Sequence, residues 1–104
     1  MLKKLCLILF CVLLQACASD FQSRQIEEGK ASYNRGNFKD AFRELLPLAA
    51  RGNPHAEYAV GYMYYYGYGP AQDSESGIFW MQKSADQNYE PAVRALKLIN
   101  QNRK

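Results

Sequence analysis

Few residues in this chain could do chemistry, and their spacing argues against most of it. His55 is the single histidine among 104 residues, so a histidine-based triad or a multi-histidine metal centre is excluded. No acidic, cysteine or second histidine side chain stands at metal-ligand spacing from it, and it is expected to be an exposed polar residue in the first turn of a helix. Ser74, Ser76 and Ser84 have no local base, and Gly67-x-Gly69 reads as a turn signal rather than a phosphate cradle. The closest acidic pairs are Glu27-Glu28, which splay by about 100° on a helix, and Asp73-Ser74-Glu75, at a helix start where carboxylates favour the dipole. No catalytic residue, metal or cofactor is therefore expected. The tyrosines are different: of the eight in the chain, six fall between Tyr58 and Tyr68. On a helix Tyr58, Tyr62 and Tyr65 share one face, opposite Ala56, Val60, Met63 and Tyr64. Tyrosine offers a large stiff apolar face and a polar tip. The stripe therefore has two readings, core of an inner helix contacted on several sides or a concave surface that binds a peptide or glycan, and both stay open at this level.

These side chains need a scaffold, and 104 residues allow one small domain. The 48% hydrophobic content is inflated by the run Leu5 to Leu14. Lys3 and Lys4 precede that run; without them the 13 basic side chains fall to 11 against 10 acidic. No Lys/Arg stripe or long basic tail remains, so no nucleic-acid partner is expected. Of the three cysteines, Cys6 and Cys11 lie inside the run and Cys17 follows it. A chain processed after the run would hold one cysteine, too few for an internal disulfide or thiolate cluster.

A spanning helix needs about 20 apolar residues at about 1.5 Å rise each. The run of ten is too short for that and has the size of a signal-peptide core behind a positive n-region. The sequence Leu14-Gln15-Ala16-Cys17 that follows resembles the bacterial lipobox. That resemblance implies cleavage before Cys17, a thioether from Cys17 to diacylglycerol, and an acylated (palmitate-type) amine. It implies a Gram-negative envelope lipoprotein. Ala18, in place of the aspartate that commonly retains such proteins at the inner membrane, favours the outer membrane and its periplasmic face. Two or more acyl chains at about 0.8 kcal/mol per buried CH₂ make a stable anchor. The expected organisation is a signal peptide at 1–16, the lipidated cysteine and tether at 17–25, and a repeat domain at 26–104. Ser19 to Gln25 reads as a polar tether which, extended, reaches about 25 Å.

The repeat emerges from self-comparison. Ala41, Leu45, Ala49, Gly52, Ala56 and Val60 recur 36 positions later as Gly77, Met81, Ala85, Asn88, Ala92 and Leu96. Gly52 and Asn88 are the informative pair, because glycine and asparagine are the types that accept the left-handed conformation ending a helix. Each is followed by a helix-starting proline, Pro54 and Pro91. A period of this length with helix-turn-helix grammar signals an α-solenoid. Five helices are expected, over about Gln22 to Arg35, Phe38 to Arg51, Pro54 to Tyr66, Asp73 to Gln87 and Glu90 to Gln101. Pro47 should kink or restart the second, since its ring clashes with the carbonyl of Arg43.

Ala56, Gly61, Tyr64, Gly67, Gly69, Asp73, Trp80, Lys83 and Ala85 stand where the Sel-one-like repeat (SLR), a relative of the tetratricopeptide repeat, has its pattern. Val60, Pro70, Gly77 and Ser84 depart from that pattern in size-conserving or local ways. Upstream, Gly29, Tyr33, Gly36, Phe38, Asp40, Ala41 and Leu45 resemble a degenerate tetratricopeptide repeat. The resemblance implies that Gly61 and Gly77 let helices approach closely, that Trp80 fills the space between helix pairs, and that Gly67 and Gly69 permit the turn. Among the clustered tyrosines the family pattern asks for Tyr64 only. The last helix, with Arg94, Lys97 and Gln101 outward and Ala92, Ala95, Leu96 and Ile99 inward, reads as the polar-faced cap of the stack.

The expectation is thus an all-α protein, a short α-solenoid of tetratricopeptide/SLR helix pairs after a lipoprotein signal peptide. It would act as a non-catalytic adaptor at the outer membrane, holding a protein or peptide partner in the cell envelope through its inner helical face. Tyr58, Tyr62 and Tyr65 would make the contacts with Arg94 beside them, and Cys17 would be the anchor. The alternative is a cell-wall glycan-binding accessory protein that stacks the same tyrosines on sugar rings.

Overall fold

The computed structural model describes residues 2–103, with side chains described for 3–11 and 20–103. Five helices follow one another among the described residues: α1 (Leu2–Asn34), α2 (Phe38–Ala50), α3 (Pro54–Tyr66), α4 (Ser74–Asp86) and α5 (Glu90–Asn102). The protein is a short helical repeat solenoid in which each helix packs on the next in the order of the chain.

Local chemistry sets the helix ends. Asn53 caps α3 by accepting the Ala56 N–H at 3.1 Å, and Asp73 caps α4 by accepting the Ser76 N–H at 3.1 Å. The Ser76 hydroxyl also donates to Asp73 at 2.7 Å, and this bond, with the backbone N–H, holds the Asp73 carboxyl below the usual carboxylate range. Pro54 and Pro91 occupy the first turns of α3 and α5, where an absent N–H costs nothing. At the other ends, Gly52 (φ 91°) and Asn88 (φ 63°) are both left-handed, as the 36-residue repeat requires. The residue after each closes the same loop: Asn53 N–H donates to Leu48 O at 3.1 Å and Tyr89 N–H to Ser84 O at 3.3 Å.

Two expectations are corrected. The first helix does not begin near Gln22: α1 is continuous from Leu2, so 19–25, read as an extended tether, are helical. No glycine or proline occurs between Leu2 and Glu28 to interrupt it. Seven helical residues rise about 10 Å rather than about 25 Å. Cys17, the expected lipid attachment point, lies outside the described side chains. No helix among the described residues is long and apolar enough to cross a membrane. Second, of the kink or restart expected at Pro47, the restart is absent: α2 is one helix through that residue. Pro47 and Arg43 are both on the exposed side, where water can take up the Arg43 carbonyl that loses its donor.

The core runs along the stack. Ala41, Leu45, Leu48 and Ala49 of α2 meet Ala56, Val60 and Met63 of α3 and Ile26 of α1, all 7% exposed or less. Trp80 packs against this cluster and is half-buried, with Lys83 Nζ 5.1 Å from its ring. The closest helix approach is between α3 and α4. A Cβ at Gly61 would lie 2.8 Å from the Gly77 carbonyl oxygen, and one at Gly77 would lie 2.8 Å from the Gly61 carbonyl oxygen. Each glycine therefore faces the other's backbone, which cannot rotate aside. The position 36 after Gly61 is Lys97, exposed on α5. The glycine crossing of α3 on α4 is therefore not repeated at α5.

Gly61→Ala and Gly77→Ala should each destabilise the fold by about 1–3 kcal/mol or more through overpacking. Gly52→Val should also be costly, whereas Asn88→Gly should cost nothing or stabilise slightly, since glycine carries no left-handed penalty. Thermal melts of the four variants check both points; a Gly61→Ala protein that melts with the parent would refute the close crossing.

Candidate functional site

The glycine crossing fixes the roll of α3. With Gly61 turned to α4 and Ala56, Val60 and Met63 turned into the core, the remaining face must carry Tyr58 and Tyr62. These two and Tyr65 are each half-buried. Tyr58, Tyr62, Tyr65 and Arg94, the four contact residues expected from sequence, come together on one groove of about 470 Å³ between α3 and α5. Leu98, 61% exposed, and Asn102 complete its α5 wall. A second groove, about 420 Å³, lies between α1 and α3 and is lined by Lys30, Tyr33, Asn34, Tyr58, Ala59 and Tyr62 with Leu45 at its floor. Tyr58 and Tyr62 are the ridge between the two.

Tyr65 differs from its two neighbours in the stripe. Its Cβ would lie 2.9 Å from a Cβ at Gly77, so the base of the side chain is wedged against α4 while the ring reaches the groove. Tyr64 behaves as the family pattern implies: it packs against the core with its ring edge-on to Phe42 at 5.2 Å.

Four aromatic residues outside the expected set extend the surface. Tyr66 stands 4.6 Å from Tyr62 by ring centroid, and Tyr89 stands 5.8 Å from Tyr58. Tyr68, from the loop after α3, stacks on Phe38 at 5.0 Å and reaches Tyr62 at 6.2 Å. Tyr33 of α1 meets Tyr68 at 6.4 Å. Helical spacing could have found Tyr66, which lies four residues after Tyr62; Tyr33, Tyr68 and Tyr89 sit on other elements, and no local signal points to them. Lys30 was also missed. His55 is exposed, as expected, with its ring 4.5 Å from Tyr89.

Burial raises the phenols of Tyr33, Tyr58 and Tyr62 above their ordinary value, and neighbouring phenols add to it: Tyr62 acts on Tyr33 and Tyr58, and Tyr66 on Tyr62. Arg94 pulls Tyr58 the other way. A different polar cluster binds the start of α3 to the end of α4. Glu57, 2% exposed, accepts from Gln87 Nε2 at 2.6 Å, Gln87 Nε2 also reaches Gly52 O at 2.9 Å, and Ser84 donates to Pro54 O at 2.8 Å. Glu57 sits in the first turn of α3, where the helix dipole favours its charge. Its role is structural. Among the described residues no three His, Cys, Asp or Glu side chains are grouped to hold a metal ion.

Stacked helix pairs with an aromatic concave face define a helical-repeat scaffold. Residues 54–89, which hold α3, the glycine loop and α4, match the family model described as Sel1 repeat, so this segment is similar to one such unit. The match is one 36-residue period long, the period found by self-comparison. A comparison with curated proteins finds no match. Sel1 repeats generally mediate protein–protein interaction.

The raised phenols give a stability signature. Stability from Tyr33, Tyr58 and Tyr62 is fully present below their unfolded value of about 10 and is lost as pH rises through the higher folded values. Denaturant melts should therefore weaken above pH about 10, and Tyr58→Phe should flatten that loss. A spectrophotometric phenolate titration in which Tyr58→Phe removes no late-titrating group would contradict the raised value.

Proposed function

We propose that this protein is a membrane-tethered, non-catalytic adaptor that holds a protein or peptide partner against its tyrosine face. The observation that carries the reading is the convergence of Tyr58, Tyr62, Tyr65 and Arg94 on one groove. Half-buried phenols are held stiffly by packing, so little entropy is lost when a partner covers them, and each keeps a hydroxyl for hydrogen bonding. The lipobox-like Leu14-Gln15-Ala16-Cys17 supports a lipid anchor at Cys17, and Ala18 supports the outer membrane with the repeat domain on the periplasmic side. The exposed Leu5, Leu7, Ile8, Leu9 and Phe10 fit that reading, because an apolar run bare on all sides needs lipid or removal.

Two experiments test it. If the tyrosine face is the partner surface, Tyr58→Ala and Tyr62→Ala should weaken capture of a cross-linked envelope protein by roughly thirtyfold, the worth of a hot spot near 2 kcal/mol. Their melting temperatures should fall less than that of Tyr64→Ala, whose ring is keyed to Phe42. Unfolding of all three alike would return the stripe to the core, and sedimentation with cell-wall glycan in place of a protein would favour the sugar-binding alternative. For the anchor, Cys17→Ser should leave uncleaved precursor without acyl groups; mass spectrometry that finds normally acylated protein from this variant would refute the lipoprotein assignment.

A further inference from the structure

The unbroken first helix changes what an anchor at Cys17 does. A flexible tether would let the repeat domain tumble, but α1 runs from Leu2 to Asn34 and passes through position 17. A helix advances about 1.5 Å and turns about 100° per residue, so position 17 is rigidly related to every residue after it. Phe21 lies about 6 Å further along the axis and is turned by about 40°. Arg24 and Glu28 lie about 10 Å and about 16 Å along, each turned by about 20°. Position 17, Phe21, Arg24 and Glu28 therefore form one stripe, and the last three are exposed.

Phe21 is the unusual member. It is 58% exposed and takes no part in the core. The headgroup region on each side of a bilayer is about 5–7 Å thick, so a residue about 6 Å from a diacylglycerol-bearing cysteine falls within it. An aromatic ring is well placed at that depth, where the apolar face of a surface-lying helix is buried. Arg24 makes no ion pair among the described residues, although Asp20 and Glu28 stand exposed one turn to either side. A zwitterionic headgroup presents a phosphate to the guanidinium and an ammonium to the two carboxylates.

The same helical geometry places the rest of the domain. The buried residues Ser32, Gly29 and Ile26 are turned from position 17 by about 60°, 120° and 180°. The helices packed on α1 thus lie beside and above it, clear of any surface that touches the stripe. Lys30 and Tyr33, on the wall of the groove between α1 and α3, are turned by about 140° and 160°. That wall of the tyrosine face looks away from the same surface.

We propose that α1 lies along the surface of a zwitterionic phospholipid bilayer with this stripe toward it and Phe21 inserted as a second anchor beside the lipidated Cys17. The roll of the helix then directs the tyrosine grooves away from the membrane. The inference rests on the lipid-anchor reading above and adds to it the orientation of the domain.

The test uses the full-length chain, acylated in cells and reconstituted into vesicles of phosphatidylethanolamine and phosphatidylcholine. Processing before Cys17 leaves no other cysteine, so Glu28→Cys and Lys30→Cys each accept one fluorescent label. The label at 28 should be quenched by a lipid-borne nitroxide and protected from aqueous iodide. The label at 30 should show the reverse, with a severalfold difference between sites only about 3 Å apart along the axis. Phe21→Ser, made in both backgrounds, should erase that difference while leaving the melting temperature and the acyl chains found by mass spectrometry unchanged. Equal quenching of the two labels in acylated protein would overturn the inference and leave the lipid anchor in place. So would a difference that survives Phe21→Ser. Parent protein without acyl groups would overturn the anchor reading and this inference together, and envelope-protein capture decides the adaptor reading separately.

Discussion

The structure turns on the contact between Gly61 and Gly77. Each lacks the Cβ that would otherwise strike the other's carbonyl oxygen at 2.8 Å, and only this lets α3 and α4 cross backbone to backbone. The close crossing decides which face of α3 meets α4. That in turn decides which face enters the core and which is left for the concave surface. Met81 lies across Gly61 much as Leu45 lies across Gly29, with Leu45 and Met81 one 36-residue period apart. The backbone crossing itself belongs to the second pair: a Cβ at Gly29 would meet the Leu45 side chain, and Gln25 and Ala41 stand 36 residues before Gly61 and Gly77.

Polar contacts then lock the pair that the glycines bring together. Among the described residues the buried Glu57 makes no ion pair; it sits at the α3 N-terminus and accepts from the Gln87 amide. Removing Gln87 would leave a buried carboxylate with a lost hydrogen bond, a costlier change than deleting an exposed ion pair. At the far end, the α3–α4 loop folds back so that Gly69 lies against the Phe38 carbonyl and Tyr68 stacks on the Phe38 ring. This loop belongs in sequence to the second pair and packs on the first. It ties the two units together where the stack is too short to rely on many repeats.

The tyrosine face is neither wholly core nor wholly surface. Tyr58 and Tyr62 support one another at 6.2 Å and remain half-exposed. Tyr65 leans on α4 at its base and Tyr64 points to Phe42. Adjacent residues of one helix thus divide between stabilising the repeat and presenting a surface.

Helix boundaries, caps and the repeat were legible in the sequence because each depends on a few neighbouring residues. Gly52 and Asn88 end helices through their own backbone freedom, Pro54 and Pro91 start them, and the apolar spacing of α2 marks its buried face. The grouping of Tyr58, Tyr62 and Tyr65 on α3 followed from helical spacing in the same way. The contribution of Tyr33, Lys30, Tyr68 and Tyr89 was not legible, because Tyr33, Lys30 and Tyr89 reach the face from distant parts of the chain and Tyr68 lies beyond the left-handed Gly67, where helical spacing no longer applies. The burial of Glu57 and the unbroken run of α1 through 19–25 were missed as well. The first depends on Gln87, 30 residues away; the second had a local sign, the lack of glycine and proline before Gly29, which the polar composition of 19–25 masked. What the sequence alone determined was the set of helices and one face of α3. Only the tertiary structure decided that this face becomes the ridge between two grooves, because a groove exists only where separate helices are held at a distance that their packing sets.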